Sequence, residues 1–150
     1  MKFGIGRIVG IVGGLLVIIG AVLPWVTISG CTTLCPVTFS GVGAGFGGIG
    51  AIIFGVLGLI FVAVGKRILA ILGMVWGILA LLLTGLAFVG FAAIGALYTG
   101  TGVTITTDYG VYVTLVGSLI LIVGSILAFV EAGKARAAPP QMPMSSPPPQ

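Results

Sequence analysis

The chain has no histidine and only two carboxylates, Asp108 and Glu131, among its 150 residues. Acid–base and nucleophilic catalysis need a base held in place by its neighbours. Asp108 precedes the last apolar run and Glu131 follows it, so the two cannot meet, and the chain reads as a non-enzyme. Cysteine is as scarce: Cys31 and Cys35 are the only two, with three residues between them. Without histidine they cannot complete a tetrahedral zinc or copper site in one chain, and no metal or other cofactor is expected. Proline occurs only at Pro24, Pro36 and in the C-terminal tail, so the long apolar runs lack the Gly/Pro breaks typical of secondary transporters. Arg7, near one end, is the only charge inside a run. Proton relays, ion pathways and voltage sensors need ionisable groups in the membrane interior, and none is encoded.

What fills the space is apolar: 59% of the chain is hydrophobic and 5% charged, against roughly a quarter charged in soluble domains. The residues fall into four runs at about 5–23, 42–64, 68–97 and 111–130. A hydrocarbon core of ~30 Å needs roughly 20 helical residues, so the first, second and fourth fit one crossing each. The third is too long for an upright span; it tilts, or its end around 90–98 rises out of the bilayer. The fold class expected is an all-α membrane protein, a four-helix transmembrane bundle over 1–136. Outer loops at 24–41 and 98–110 and a Pro-rich cytoplasmic tail at 137–150 complete it.

The six basic residues form three pairs at run borders: Lys2 with Arg7, Lys66 with Arg67, and Lys134 with Arg136. The segments between the first two runs and between the last two carry no Lys or Arg. Basic residues are retained on the cytoplasmic side during insertion. The pattern therefore predicts a multi-pass protein of the cell membrane with both termini and the middle loop cytoplasmic. The net charge of +4 is spread over three borders and makes no face for nucleic acid. Membrane lipids are the expected partners of the basic flanks.

An internal repeat is visible. Arg7, Ile8, Ile11 and Gly13 match Arg67, Ile68, Ile71 and Gly73, while Gly41, Gly48 and Gly55 match Gly110, Gly117 and Gly124 at the same seven-residue spacing. Either a helical hairpin has been duplicated, or a Gly/Val/Ile/Leu-rich sequence matches itself by chance. The 27 glycines also make small-residue stripes: Gly6, Gly10 and Gly14; Gly47, Ala51 and Gly55; Gly73 and Gly77; Gly124 and Ala128. Helices in lipid pair through close backbone approach over small residues. The stripes are expected to pack the bundle internally, with one left for another subunit as the alternative.

Alternating Thr and apolar residues at 25–28, 37–39 and 103–106 are strand signals and predict a small extracellular sheet capping the bundle. Trp25, Tyr98, Tyr109 and Tyr112 are placed at the outer interface as an aromatic belt. A Cys31–Cys35 disulfide suits an oxidising outer loop, with free thiols or an intermolecular link as competing readings. Ile28, Ser29, Gly30 and Cys31 also resemble a lipoprotein cleavage site, but the apolar stretch ahead of them exceeds the roughly 7–15 residues of a signal core. The tail holds six prolines and is expected to be extended.

Leu23, Pro24, Trp25, Val26 and Thr27 after the first run, Gly110, Val111 and Tyr112 entering the fourth, and Gly117, Ser118 and Leu119 within it carry a resemblance. The chain is similar to the small four-helix (tetraspan) membrane proteins of bacteria and archaea. At the level of topology alone it resembles claudin-like tetraspans, which have cytoplasmic ends, an extracellular sheet, and a Trp and two cysteines in the first outer loop. The chain has no Gly-Leu-Trp motif, and its cysteines lie closer together. The resemblance implies assembly in the membrane plane and nothing catalytic. The function expected is that of a structural or accessory subunit of a larger membrane complex, or of a self-associating envelope protein. Alternatives are a small pore or facilitator for lipid or solute, and receptor-like binding through the sheet.

Overall fold

A computed structural model describes residues 4–30 and 35–137. Four helices carry the fold: α1 (Ile5–Val22), α2 (Phe46–Val64), α3 (Arg67–Leu97) and α4 (Tyr109–Ala137). All four are long and apolar enough to cross a membrane. Three short strands, β1 (Pro24–Ser29), β2 (Val37–Ser40) and β3 (Thr104–Thr107), form one antiparallel sheet in the order β2-β1-β3. α2 starts at Phe46 rather than near Val42, because residues 41–44 are spent on a turn out of β2. α4 opens two residues earlier than the apolar run and extends past it to Ala137.

Each helix packs antiparallel on its sequence neighbours, and α4 closes the ring on α1. α3 has 31 residues without a break, about 46 Å at 1.5 Å per residue. Its far end is used by the sheet: Gly95 lies under β3, and a methyl group there would sit 3.5 Å from the Ile105 carbonyl oxygen.

The radial pattern is the reverse of a water-soluble bundle. Buried positions of α1 are Gly6, Gly10, Gly13, Gly14, Val17, Gly20 and Ala21; those of α3 are Ala70, Gly73, Gly77, Ala80 and Thr84. Outward positions carry the large branched residues, such as Ile68 at 75% and Leu86 at 70% exposure. Ile5, Ile8, Val12, Leu15, Ile19 and Val22 form one such outward stripe along α1. Water would drive these side chains inward at about 1.5–3 kcal/mol each, whereas lipid tails impose no such preference and leave small residues to make the contacts.

Candidate functional site

The sheet end is built around Trp25. α1 ends at Val22 with carbonyls that have no further helical donor, and the following chain supplies donors to two of them and to the carbonyl of the capping residue Leu23. The Trp25 indole Nε1 donates to the Gly20 oxygen at 2.8 Å, Val42 N to Ala21 O at 3.2 Å, and Gly41 N to Leu23 O at 3.1 Å. The β1–β2 register slips between Pro24 and Val26, a local irregularity that re-aims a side chain. Trp25 is 0% exposed. Glycines press on its ring from two sides: a methyl at Gly41 would lie 2.5 Å from Cε2 and one at Gly110 2.8 Å from Cδ1. These two glycines are equivalent in the internal repeat. The belt position expected for Trp25 is therefore corrected. Its polar edge is satisfied by a helix end inside the protein rather than by the interface. Tyr98, Tyr109 and Tyr112 are about half exposed, and Tyr112 meets Phe88 edge-on at 5.8 Å.

A hydroxyl chain crosses the sheet. Thr27 Oγ1 donates to Asp108 Oδ2 at 2.5 Å and lies 3.1 Å from Thr38 Oγ1, while Asp108 N donates to Trp25 O at 2.9 Å. Inside the bundle, Thr114, Ser118 and Ser125 donate to the carbonyls of Gly110, Thr114 and Leu121, four residues back on α4, at 2.7–2.8 Å. Hydroxyls in membrane helices commonly bond this way. Thr84 Oγ1 is buried with no partner among the described residues.

The α1–α4 contact is a glycine seam. A methyl at Gly6 would lie 2.6 Å from Leu127 C, at Gly13 2.7 Å from Leu121 Cα, and at Gly20 2.7 Å from Thr114 N. From the other side, a methyl at Gly117 would lie 2.7 Å from Val17 N and one at Gly124 2.9 Å from Val9 C. Both helices present a glycine every seventh residue, and the two series interleave in antiparallel register. Gly6, Gly10 and Gly14 do not share one partner: Gly6 packs on α4, while Gly10 and Gly14 meet Val62 and Leu59 of α2. The reason is angular. Four residues advance a helix face by about 40°, so a four-residue stripe winds onto the next neighbour, whereas a seven-residue one drifts by about 20°. Gly13, Gly20, Gly110 and Gly117 were not among the packing residues expected, though the seven-residue spacing already noted in the fourth run also runs through the first.

The other stripes also meet neighbours within the chain. Gly47 lies by Trp25 and Ala87, Gly55 by Val17, Gly73 by Val62 and Ser125, and Gly77 by Ile122. Ala51 is fully buried, and Ala128 faces Gly6.

At the opposite end from Trp25, α1 begins at Gly4 without a side-chain cap. Glu131 of α4 supplies one from across the seam, its Oε1 accepting the Gly6 N–H at 3.1 Å. Arg7 Nη2 donates to Gly65 O at 3.0 Å, where α2 stops in a left-handed glycine with φ 69°. Arg67 lies 4.4 Å above the Phe129 ring. Arg7, Lys66 and Arg67 thus surround one cleft, while Lys134 is exposed one turn beyond Glu131. Lys2, Cys31 and residues 138–150 lie outside the described residues, as does the Arg136 side chain. The Cys31–Cys35 pairing and the tail therefore remain expectations. Among the described residues, no three His, Cys, Asp or Glu gather in a metal-binding group.

No family model, curated protein or solved structure matches the chain.

Proposed function

We propose that the protein is a non-enzymatic, four-span protein of the cell membrane that works by packing against other subunits, as an accessory component of a larger complex or as a self-associating envelope protein. The membrane part rests on the inverted radial pattern. The orientation is supported by Arg7, Lys66, Arg67 and Lys134 sharing the end away from the sheet, since basic residues are retained on the cytoplasmic side during insertion. We propose a Cys31–Cys35 disulfide on the outer side, because the segment joining β1 to β2 leaves the sheet end and an oxidising compartment favours the bond.

The packing part rests on the second half of α3. The internal stripes are consumed by neighbours, but at Gly85 and Gly90 an added methyl would meet nothing within 4 Å. Ala92, Ala93 and Ala96 are exposed beside them. Next to this face a cleft of about 190 Å³ opens between α2 and α3, with Trp25, Gly47 and Phe91 in its wall. Small outward residues beside a groove suit the close approach of another helix.

Purification in mild detergent followed by mass determination should give a homo-oligomer or a defined complex, and Ala93→Trp should dissociate it while leaving the helical content intact. A monomer at native lipid ratios, in the unsubstituted protein, contradicts the reading. The buried Thr84 hydroxyl, without a partner among the described residues, favours one runner-up, a small pore or facilitator. Solute flux in liposomes separates the two, since a packing subunit gives none.

A further inference from the structure

We propose that the cleft between the α2–α3 turn and the ends of α1 and α4 binds the phosphate of an anionic lipid headgroup, with an acyl chain in the apolar groove between α3 and α4. The proposal rests on the membrane reading above and gives that membrane a specific ligand.

The cleft has a volume of about 660 Å³ and is lined by Arg7, Gly65, Lys66, Arg67, Ile68, Leu69 and Ala132. Three cations converge on it, and two are held. Arg7 is fixed by its bond to Gly65 O and Arg67 by the Phe129 ring. A guanidinium has five N–H donors, and Arg7 spends one of them among the bonds seen in the described residues.

α3 starts in the same wall. Lys66, at its N-cap, makes no side-chain cap, and the first helical bond is Ala70 N to Lys66 O at 3.0 Å. The N–H groups of Arg67, Ile68 and Leu69 therefore have no acceptor within the helix, and they add the positive end of a 31-residue helix to the three side chains. Among the described residues no carboxylate lines the cleft, since Glu131, next to Ala132, is turned to the Gly6 N–H. So much positive charge around one concavity calls for an anion, and phosphate fits both the guanidinium fork and a helix N-terminus.

A free anion would be satisfied by that much. The adjoining groove points to a lipid. It has a volume of about 320 Å³ and is walled by Ala70, Ile71, Met74, Ser125, Ile126 and Phe129. Phe129 carries Arg67 on its ring and also lines the groove, and Ser125 spends its hydroxyl on its own helix, so the wall is in effect apolar. Headgroup cleft and groove thus meet at one residue pair. Basic pockets between membrane helices are established sites for anionic headgroups.

The test uses the full chain in mild non-ionic detergent, titrated with dioleoylphosphatidylglycerol or dioleoylphosphatidylcholine and read by native mass spectrometry. The unsubstituted protein should prefer phosphatidylglycerol by about tenfold. Arg7→Gln with Arg67→Gln should reduce that preference to about twofold or less, and Lys134→Gln, outside the cleft, should leave it unchanged. Ile71→Trp, which fills the groove and keeps every charge, should weaken phosphatidylglycerol binding on its own.

A preference that survives the double substitution, or one that Lys134→Gln reduces equally, overturns the site. Displacement of phosphatidylglycerol by equimolar glycerol phosphate overturns the lipid and leaves a site for soluble phosphate. Flotation with liposomes after an alkaline wash reads membrane insertion separately. A protein that floats but shows no headgroup preference refutes the lipid site alone.

Discussion

Trp25 joins distant parts of the molecule: the end of α1, the irregularity in β1, the turn after β2 and the first residues of α4 all meet on its ring. Trp25→Phe keeps one aromatic ring but leaves the Gly20 carbonyl without its donor, and should cost about 1–3 kcal/mol. Trp25→Ala also empties the centre of the sheet end and should cost about 3–5 kcal/mol. Both are measurable as shifts in reversible unfolding in detergent micelles, and equal losses for the two would contradict the hydrogen-bonded plug. Glu131 has a smaller task. With its carboxylate on the Gly6 N–H, Glu131→Gln should weaken the start of α1 by about 0.3–1 kcal/mol, seen as faster hydrogen exchange at residues 5–8. Neither role was legible in the sequence. A Trp just past an apolar run suits a lipid interface as well as a core, and only the return of residues 41–42 and 109–110 to the end of α1 decides between them. Glu131 is paired across 125 positions of chain, beyond any local pattern.

Among the elements, the α1–α4 seam holds the closest approach, and the sequence showed its ingredients without its geometry. The seven-residue glycine spacing is visible in the fourth run, but in the first it is overlaid by the four-residue stripe of Gly6, Gly10 and Gly14. Which spacing faces which neighbour depends on the antiparallel register of helices a hundred residues apart. The seam makes a contrast that can be measured. Gly13→Ala places a methyl against the Leu121 backbone, which cannot yield as a flexible side chain would, so α1 and α4 must separate. The expected loss is several kcal/mol, or failure to fold. Gly85→Ala adds the same methyl where nothing lies within 4 Å, and should stabilise α3 by about 0.5–1 kcal/mol through helix propensity. Similar effects at the two sites, in side-by-side thermal unfolding, would contradict the seam.

At the scale of the whole molecule, the four long helices and the strand segments were legible, because uninterrupted apolar runs and Thr alternation are local signals. The strand order was not. β1 lies between β2, eight residues further along the chain, and β3, some seventy-five residues away, a pairing that exists only once α2 and α3 have brought the chain back. The length of α3 was visible as an excess over one crossing. Its use emerges from the fold: the far turns reach β3 and leave Gly85, Gly90 and the exposed alanines turned outward. The two ends of the molecule divide the chemistry, with guanidinium and ammonium groups at one and hydroxyls and Asp108 at the other.

That division gives the most direct test, single-cysteine labelling in sealed membranes with a membrane-impermeant maleimide, in a background with Cys31 and Cys35 replaced by Ser. Cysteines at Lys66 and Lys134 should be labelled only from the cytoplasmic side, and a cysteine at Thr101 only from the outer side. Labelling of Lys66→Cys and Thr101→Cys from the same side would contradict the four crossings.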